Sequence, residues 1–179
     1  MVRKEKATEA AIQKHGKDTK NIYTKPQSVK ILEKMAAGVQ QAKYPNFPYP
    51  IKAMYRDDTA NGLTKCIIDF LRLNGCQAER INTMGRPIDE RRSVKDVTGH
   101  QRQIGSIRWV HATTTNGSAD ISAIINGRSV KIEVKIGRDK QSDAQRQYQH
   151  DIEKAGGVYL LIHNFTEFYQ WWNEKGGTI

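Results

Sequence analysis

An Asn-Gly pair set between two β-branched runs is the feature that most limits what this chain can fold into. The stretch reads Ala119-Asp120-Ile121-Ser122-Ala123-Ile124-Ile125-Asn126-Gly127-Arg128-Ser129-Val130-Lys131-Ile132-Glu133-Val134-Lys135. Asn and Gly both tolerate positive φ, which the two central positions of a tight hairpin turn demand. Such a turn fixes the register: Ile125 pairs with Arg128, Ala123 with Val130, Ile121 with Ile132, and Asp120 with Glu133. Alternation then sorts the faces. Ile121, Ala123, Ile125, Val130, Ile132 and Val134 share the core side. Asp120, Ser122, Lys131, Glu133 and Lys135 share the other. This register sets two carboxylates side by side, with Cβ atoms roughly 5 Å apart, and like charges placed so repel. A hard cation such as Mg²⁺ held between them removes the conflict, because carboxylate oxygens suit it. Lys135 lies one pleat along from Glu133. Two acids and a lysine on one sheet face make a candidate metal-dependent hydrolytic site. Glu-x-Lys alone is common on solvated strands; the register is what favours a site over an exposed hairpin of mixed charge.

At 179 residues the chain suits one domain with an extension and is long enough for a proper core. Lys and Arg number 29 against 19 Asp and Glu, a net charge of +10. A basic balance of this size points to a polyanion partner, most often nucleic acid. Residues 1–55 carry +7 of that excess and residues 56–179 only +3. The expected division is therefore a basic N-terminal arm, helix and Pro-rich linker over 1–55, then a compact domain over 56–179 with a basic insertion at about 85–118. Cys66 and Cys76 form no CxxC pair and no disulfide framework. Reduced thiols fit a cytoplasmic setting. No secretory segment follows Met1, and no apolar run reaches the ~20 residues of a membrane span, so no membrane partner is expected.

The rest of the chain supplies layers around the hairpin. Residues 1–26 read as a weakly ordered basic arm, suited to phosphates or simply solvated. Residues 28–43 carry a helical stripe of Ile31, Leu32, Met35, Ala36 and Val39, with Ser28 as N-cap. The Pro-rich run 44–50 ends that helix. Leu63, Ile67, Phe70 and Leu71 mark a second helix over 59–74, closed by Gly75. Residues 77–83 read as a strand. The insertion suggests a β-ribbon of 93–97 and 104–110 around Thr98-Gly99-His100, and long insertions of this kind are often functional. Its arginines Arg86, Arg91, Arg92, Arg102 and Arg108, with Arg80 before it and Arg138 and Lys140 after the hairpin, are candidate nucleic-acid contacts. The run 113–118 suits a backbone approaching phosphate and suits an ordinary turn equally. His100 and His111 are more naturally structural than catalytic. Ser142-Asp143-Ala144-Gln145 is a capping box opening a helix to about Ala155, with Ala144, Tyr148, Ile152 and Ala155 as its buried stripe. Gln141, Gln145 and Gln149 line one flank, by composition a surface. Val158–Ile162 reads as a central buried strand. After a cap at Asn164, Phe165, Phe168, Tyr169 and Trp172 recur at helical spacing and read as core, with Trp171 more open. The result is an α/β class: a mixed central sheet flanked by helices.

The order α-β-β-β-α-β, with Asp120 opening the second strand and Glu133-Val134-Lys135 in the third, resembles the PD-(D/E)XK nuclease superfamily. Within it the likeness is to the VRR-NUC type, of phage-encoded and repair-associated nucleases with Holliday-junction-resolvase-like members. Gly117-Ser118-Ala119-Asp120, Ser142-Asp143-Ala144-Gln145, Gly156-Gly157 and Arg80-Ile81-Asn82 carry it further. The likeness spans roughly 59–163 and omits the N-terminal third and most of 86–116. It implies a restriction-endonuclease-like core with a basic helical N-terminal extension. It implies Mg²⁺ or Mn²⁺ held by Asp120, Glu133 and the carbonyl of Val134. Lys135 would orient the attacking water or stabilise developing charge, and Gln145 would sit over the site. Two departures stand out. Ala119 replaces the proline that often precedes the aspartate, and Ala60-Asn61 replaces the acid often found early in the first helix, with Asp57 and Asp58 just upstream. The second departure leaves a second metal open. The resemblance thus implies an Mg²⁺-dependent endonuclease of DNA, structure-specific or not, in the cytoplasm or in a host's cytoplasm if phage-encoded. A homodimer would cut two strands. The alternatives are a non-catalytic nucleic-acid-binding module on a nuclease fold and an RNA-cleaving nuclease with the same site.

Overall fold

Asn126 and Gly127 adopt φ of 49° and 80°, and the runs they join pair as the turn dictates: Ile121 with Ile132, Ala123 with Val130, Ile125 with Arg128. The computed structural model describes residues 23–82, 85–110 and 115–176. Nearly all of the basic arm at 1–26 lies outside the described residues, as do the end of the expected first strand at Thr83, and His111, Thr113 and Thr114. In chain order the elements are helices α1 (Gln27–Lys43) and α2 (Ala60–Leu73), strand β1 (Gln77–Arg80), and the insertion strands β2 (Arg86–Asp89), β3 (Arg92–Lys95), β4 (Gln101–Ile104) and β5 (Ile107–Val110). Then come the hairpin strands β6 (Ile121–Ile125) and β7 (Arg128–Val134), helix α3 (Asp143–Lys154), strand β8 (Val158–Ile162) and helix α4 (Phe165–Trp171), which runs into a π-turn over Trp172–Gly176.

The four-stranded sheet has the order β1-β6-β7-β8, antiparallel except for the parallel β7–β8 pair, so it is mixed. The six hairpin residues assigned to the core side are all buried. Leu63, Ile67, Phe70 and Leu71 of α2 join them in one hydrophobic core. That helix starts where Thr59 Oγ1 accepts from Gly62 N (3.1 Å) and ends before Gly75 at φ 78°. The Phe70 ring meets Phe165, Phe168, Tyr169 and Trp172 edge-on at 5.4–5.9 Å. Such contacts add about 0.5–1.5 kcal/mol each beyond simple burial, so the aromatic stripe is core. Trp171 also packs, against Phe168 at 5.8 Å. Helix α1 contributes Val29 and Leu32 to the same core.

Several local expectations shift. Pro26, not Ser28, is the N-cap of α1; its missing N–H costs nothing at a helix entry. Ser28 is buried, its hydroxyl 2.9 Å from that of Thr166. The buried line on α1 is Val29, Leu32 and Ala36, while Val39 is exposed. Strand β8 is an edge of the sheet rather than its centre. It is apolar on both sides because α3 and α4 both pack on it, which burial reads the same way as a central position. Helix α3 buries no residue fully, and Ala155 is its exposed C-cap, since the helix lies on one side of β8 only. Among the described residues no helix is long and apolar enough to cross a membrane.

The insertion is a single long hairpin. Ladders β2–β5 and β3–β4 keep one register, bridged by Glu90 N donating to Ser106 O (3.1 Å). The expected turn is present: Asp96 N donates to His100 O (2.9 Å), Asp96 Oδ1 accepts from Thr98 N and His100 N, and Gly99 sits at φ 91°. The strands begin earlier than expected, at Arg86, because that turn and register carry pairing back past the break at Glu90-Arg91.

Asp57 ties the segment before α2 to the start of α4. It is 5% exposed, and its carboxylate accepts from Tyr23 Oη (2.7 Å) and Phe165 N (3.0 Å). Asp57→Ala strands both donors and should cost about 2–3 kcal/mol, read as a lower urea midpoint at unchanged m-value. A loss below about 0.5 kcal/mol, the scale of an ordinary surface change, would refute the role.

Candidate active site

The polar side of the hairpin is closed off from solvent at its Glu133–Lys135 end. Glu133 is 3% exposed and Lys135 5%. Their cover is the N-terminal turn of α3, brought close by Gly117. A Cβ on Gly117 would lie 2.3 Å from Ala144 O and 2.8 Å from Gln145 N, and its φ is 79°. Only glycine lets the turn before Asp120 lie directly on the helix start. The capping box forms in full: Gln145 N donates to Ser142 Oγ (3.2 Å), and Ser142 N donates to Gln145 Oε1 (2.9 Å).

The same Gln145 side chain reaches the sheet. Its Oε1 also accepts from Lys135 Nζ (3.1 Å), and its Nε2 donates to Glu133 Oε1. Lys135 Nζ stands 3.1 Å from Glu133 Oε1 and 3.2 Å from Asp139 Oδ2. Glu133 Oε2 is buried with no hydrogen-bond partner among the described residues. Asp120 lies one position beyond the last pair of the β6–β7 ladder, whose register is the expected one. The ladder stops at Ile121 and Ile132, and Asp120 instead turns its Oδ2 onto Val134 N (3.0 Å), while its carbonyl accepts from Ile81 N (2.8 Å). In an extended strand a residue's N–H and C=O leave along the same edge, so the Val134 carbonyl faces the Asp120 side.

Burial pushes the Glu133 carboxyl above its ordinary range, and the charge of Asp120 adds to this, against the opposing pull of Lys135. For Lys135, burial works to lower its pKa, but contact with Glu133 and Asp139 outweighs it and the net direction is up. The ammonium therefore stays charged, while the carboxylates are crowded.

This donor set fits a hard cation. The orphaned Glu133 Oε2, the Asp120 carboxylate and the Val134 carbonyl are all oxygen donors at one end of the β6–β7 pair. Among the described residues no three His, Cys, Asp or Glu side chains are placed to hold a metal ion together. A cation here would rely on two carboxylates, one carbonyl and water, a pattern Mg²⁺ accepts. Asp57 and Asp58 do not join the set, since they are engaged by Tyr23 and Phe165 and by Arg56.

The structure brings together Asp120, Glu133, Val134, Lys135 and Gln145. The candidate basic contacts are spread elsewhere. Arg80 pairs with Ile121 and so starts on the sheet face opposite Glu133. Arg138 and Lys140 are exposed in the loop around Asp139. Arg86, Arg91, Arg92, Arg102 and Arg108 are exposed on the ribbon. There Arg91 pairs with Asp89, Arg108 with Glu90, and Arg102 lies 3.6 Å from Asp96.

Two neighbours, Asp139 and Tyr159, carried little signal in the sequence, while Lys131 lies on the face that alternation assigns to it. Asp139 meets Lys135 across the Gly137 loop, four residues on, a spacing that offered a hint. Lys131 donates to Ser122 Oγ (2.6 Å) on the same face. Tyr159 lies beside Lys131 only because β7 and β8 pair in parallel. Burial pushes its phenol up to about 12, with Gln141 opposing and the charges of Glu133 and Asp120 adding. No family model matches the chain, and no curated protein matches it. The chemistry of the site rests on its own geometry.

Proposed function

We propose that this chain is a metal-dependent phosphodiesterase of DNA, with the restriction-endonuclease-like core and site of a PD-(D/E)XK nuclease of VRR-NUC type. The observation that carries the reading is the buried, partnerless Glu133 Oε2 beside Asp120, with Lys135 and Gln145 fixed against the same carboxylate. Unpaired buried carboxylate oxygens are costly and call for a ligand. Asp120, Glu133 and the Val134 carbonyl would hold Mg²⁺ or Mn²⁺, which when bound would supply Lewis-acid polarisation of the phosphodiester.

The protein groups have separable tasks. Lys135 has acceptors on Glu133, Asp139 and Gln145 and a raised pKa, so it acts as a fixed positive charge and not as a base. It stabilises negative charge growing at phosphorus and orients the incoming water. Gln145 is a positioning residue: its amide fixes the Glu133 rotamer and leaves Oε2 free to bind. Substrate has access from the β6 side, where Asp120 and Ser122 are half-buried and Ile124 is exposed on the same face. Two copies would be needed to cut both strands together. The free thiols Cys66 and Cys76 suit a reducing cytoplasm, or that of a host.

Cleavage assays test this. Linear, flapped and branched DNA and RNA are incubated with Mg²⁺ or Mn²⁺ and then with EDTA. DNA cleavage that stops on chelation is expected. Cleavage that persists in EDTA would overturn the metal reading. Binding without cleavage on every substrate would assign a non-catalytic module, and preferential cutting of RNA would assign an RNA nuclease.

A further inference from the structure

Nothing in the described chain covers either face of the outer ribbon: every strand residue of β3 and β4 is exposed. A two-stranded ribbon standing alone is marginal in water. Register sorts its chemistry by face. On one face Arg92 stands opposite Ile104 and Val94 opposite Arg102. On the other, Ser93 stands opposite Gln103 and Lys95 opposite Gln101. The first face therefore couples each arginine to a β-branched aliphatic group, and the second is wholly polar, as a solvated face should be. The inner ladder repeats the first pattern, with Arg86 opposite Val110 and Ile88 opposite Arg108. Val94 and Ile104 are 41% and 44% exposed. The two strands hold three cations and no acid.

We propose that the β3–β4 ribbon enters the major groove of B-form duplex DNA, with Arg92, Val94, Arg102 and Ile104 toward the base edges. The dimensions agree: the four paired rows run about 13 Å, with strands about 4.8 Å apart. The major groove, about 12 Å wide, admits a two-stranded ribbon in undistorted B-form DNA, whereas the minor groove, about 6 Å wide, must be widened at an energetic cost to take one. Arginine pairs with the guanine N7 and O6 acceptors, and aliphatic groups pack on thymine methyls. Insertion buries the apolar half of the cationic face and leaves the Ser93–Gln103 and Lys95–Gln101 rows in water. A-form RNA keeps its major groove too deep and narrow for such a ribbon. The inference rests on DNA being the partner, as in the proposed function, and is independent of cleavage.

The test uses the full chain in EDTA, duplex DNA and RNA oligonucleotides, fluorescence anisotropy, and dimethyl sulfate methylation of guanine N7. Wild type should bind duplex DNA more tightly than duplex RNA and protect N7. Arg92→Ala with Arg102→Ala should weaken DNA binding roughly tenfold per arginine and abolish protection. Gln101→Ala with Gln103→Ala should change neither. Far-UV circular dichroism checks that both variants fold. Absent N7 protection in wild type, or full affinity and protection in the arginine variant, overturns the proposal. So does an arginine variant that keeps its DNA affinity but changes sedimentation without DNA, which would make the ribbon a contact between copies. N7 protection in a wild type that never cleaves would overturn the nuclease reading and support the ribbon. Cleavage and protection untouched by the arginine changes would do the reverse.

Discussion

Glu133→Gln should lower Mg²⁺-dependent cleavage on the order of 10³-fold and leave the chain folded. Glu133 is 3% exposed, and both its burial and the nearby Asp120 disfavour its ionised form. Removing one partner of a buried ion pair weakens a fold, so the melting temperature should fall. Glutamine preserves the shape and still offers Lys135 an acceptor, and Asp139 keeps a carboxylate on the ammonium, so the chain stays folded. Metal gives a second readout. A ligand that binds only the folded state at 100 times its Kd stabilises by about 2.7 kcal/mol. Mg²⁺ should raise the melting temperature of wild type and leave the variant unmoved. A variant that cleaves at the wild-type rate, or shows an equal Mg²⁺-induced shift, would sink the assignment of Glu133 as a metal ligand.

Gly117→Ala should be strongly damaging for the addition of a single methyl group. The new Cβ would sit 2.3 Å from Ala144 O and 2.4 Å from Ala144 C, which are backbone atoms and cannot rotate away, and it would hold φ at 79°. The α3 entry must shift, and Gln145 shifts with it. Left-handed strain and overpacking together should cost roughly 2–4 kcal/mol. Misplacement of the site by about 1 Å should cost roughly 10²-fold in rate. Gly127→Ala is the control. Its φ is 80°, but nothing lies within 4 Å of the added carbon, so only the backbone strain applies. Denaturation midpoints separate the two, and equal losses would show that the contact with α3 does not matter.

Legibility followed the range of the interaction that decided each feature. Asn126-Gly127, the period of two and the Ser142–Gln145 capping box act within a few residues, through allowed φ, pleat and orphan helix N–H groups. They fixed the hairpin register from Ile121 to Ile132, the six core residues, and the shared face of Glu133 and Lys135. Those local rules do not reach to where separate elements land. The sequence placed Asp120 opposite Glu133, but the ladder ends one pair earlier and the carboxylate bonds to Val134 N instead. It read β8 as central, although only pairing with β7 and cover by two helices could show an edge buried on both faces. It left Gln145 on a surface flank by composition. The docking of α3 onto Gly117 is what turns a helix-capping side chain onto Glu133 and Lys135. Periodicity and turn chemistry are properties of adjacent residues and survive in any context. The burial of Glu133, its free oxygen and the partners of Lys135 exist only once distant segments close over them, because desolvation and hydrogen bonding depend on what is nearby in space.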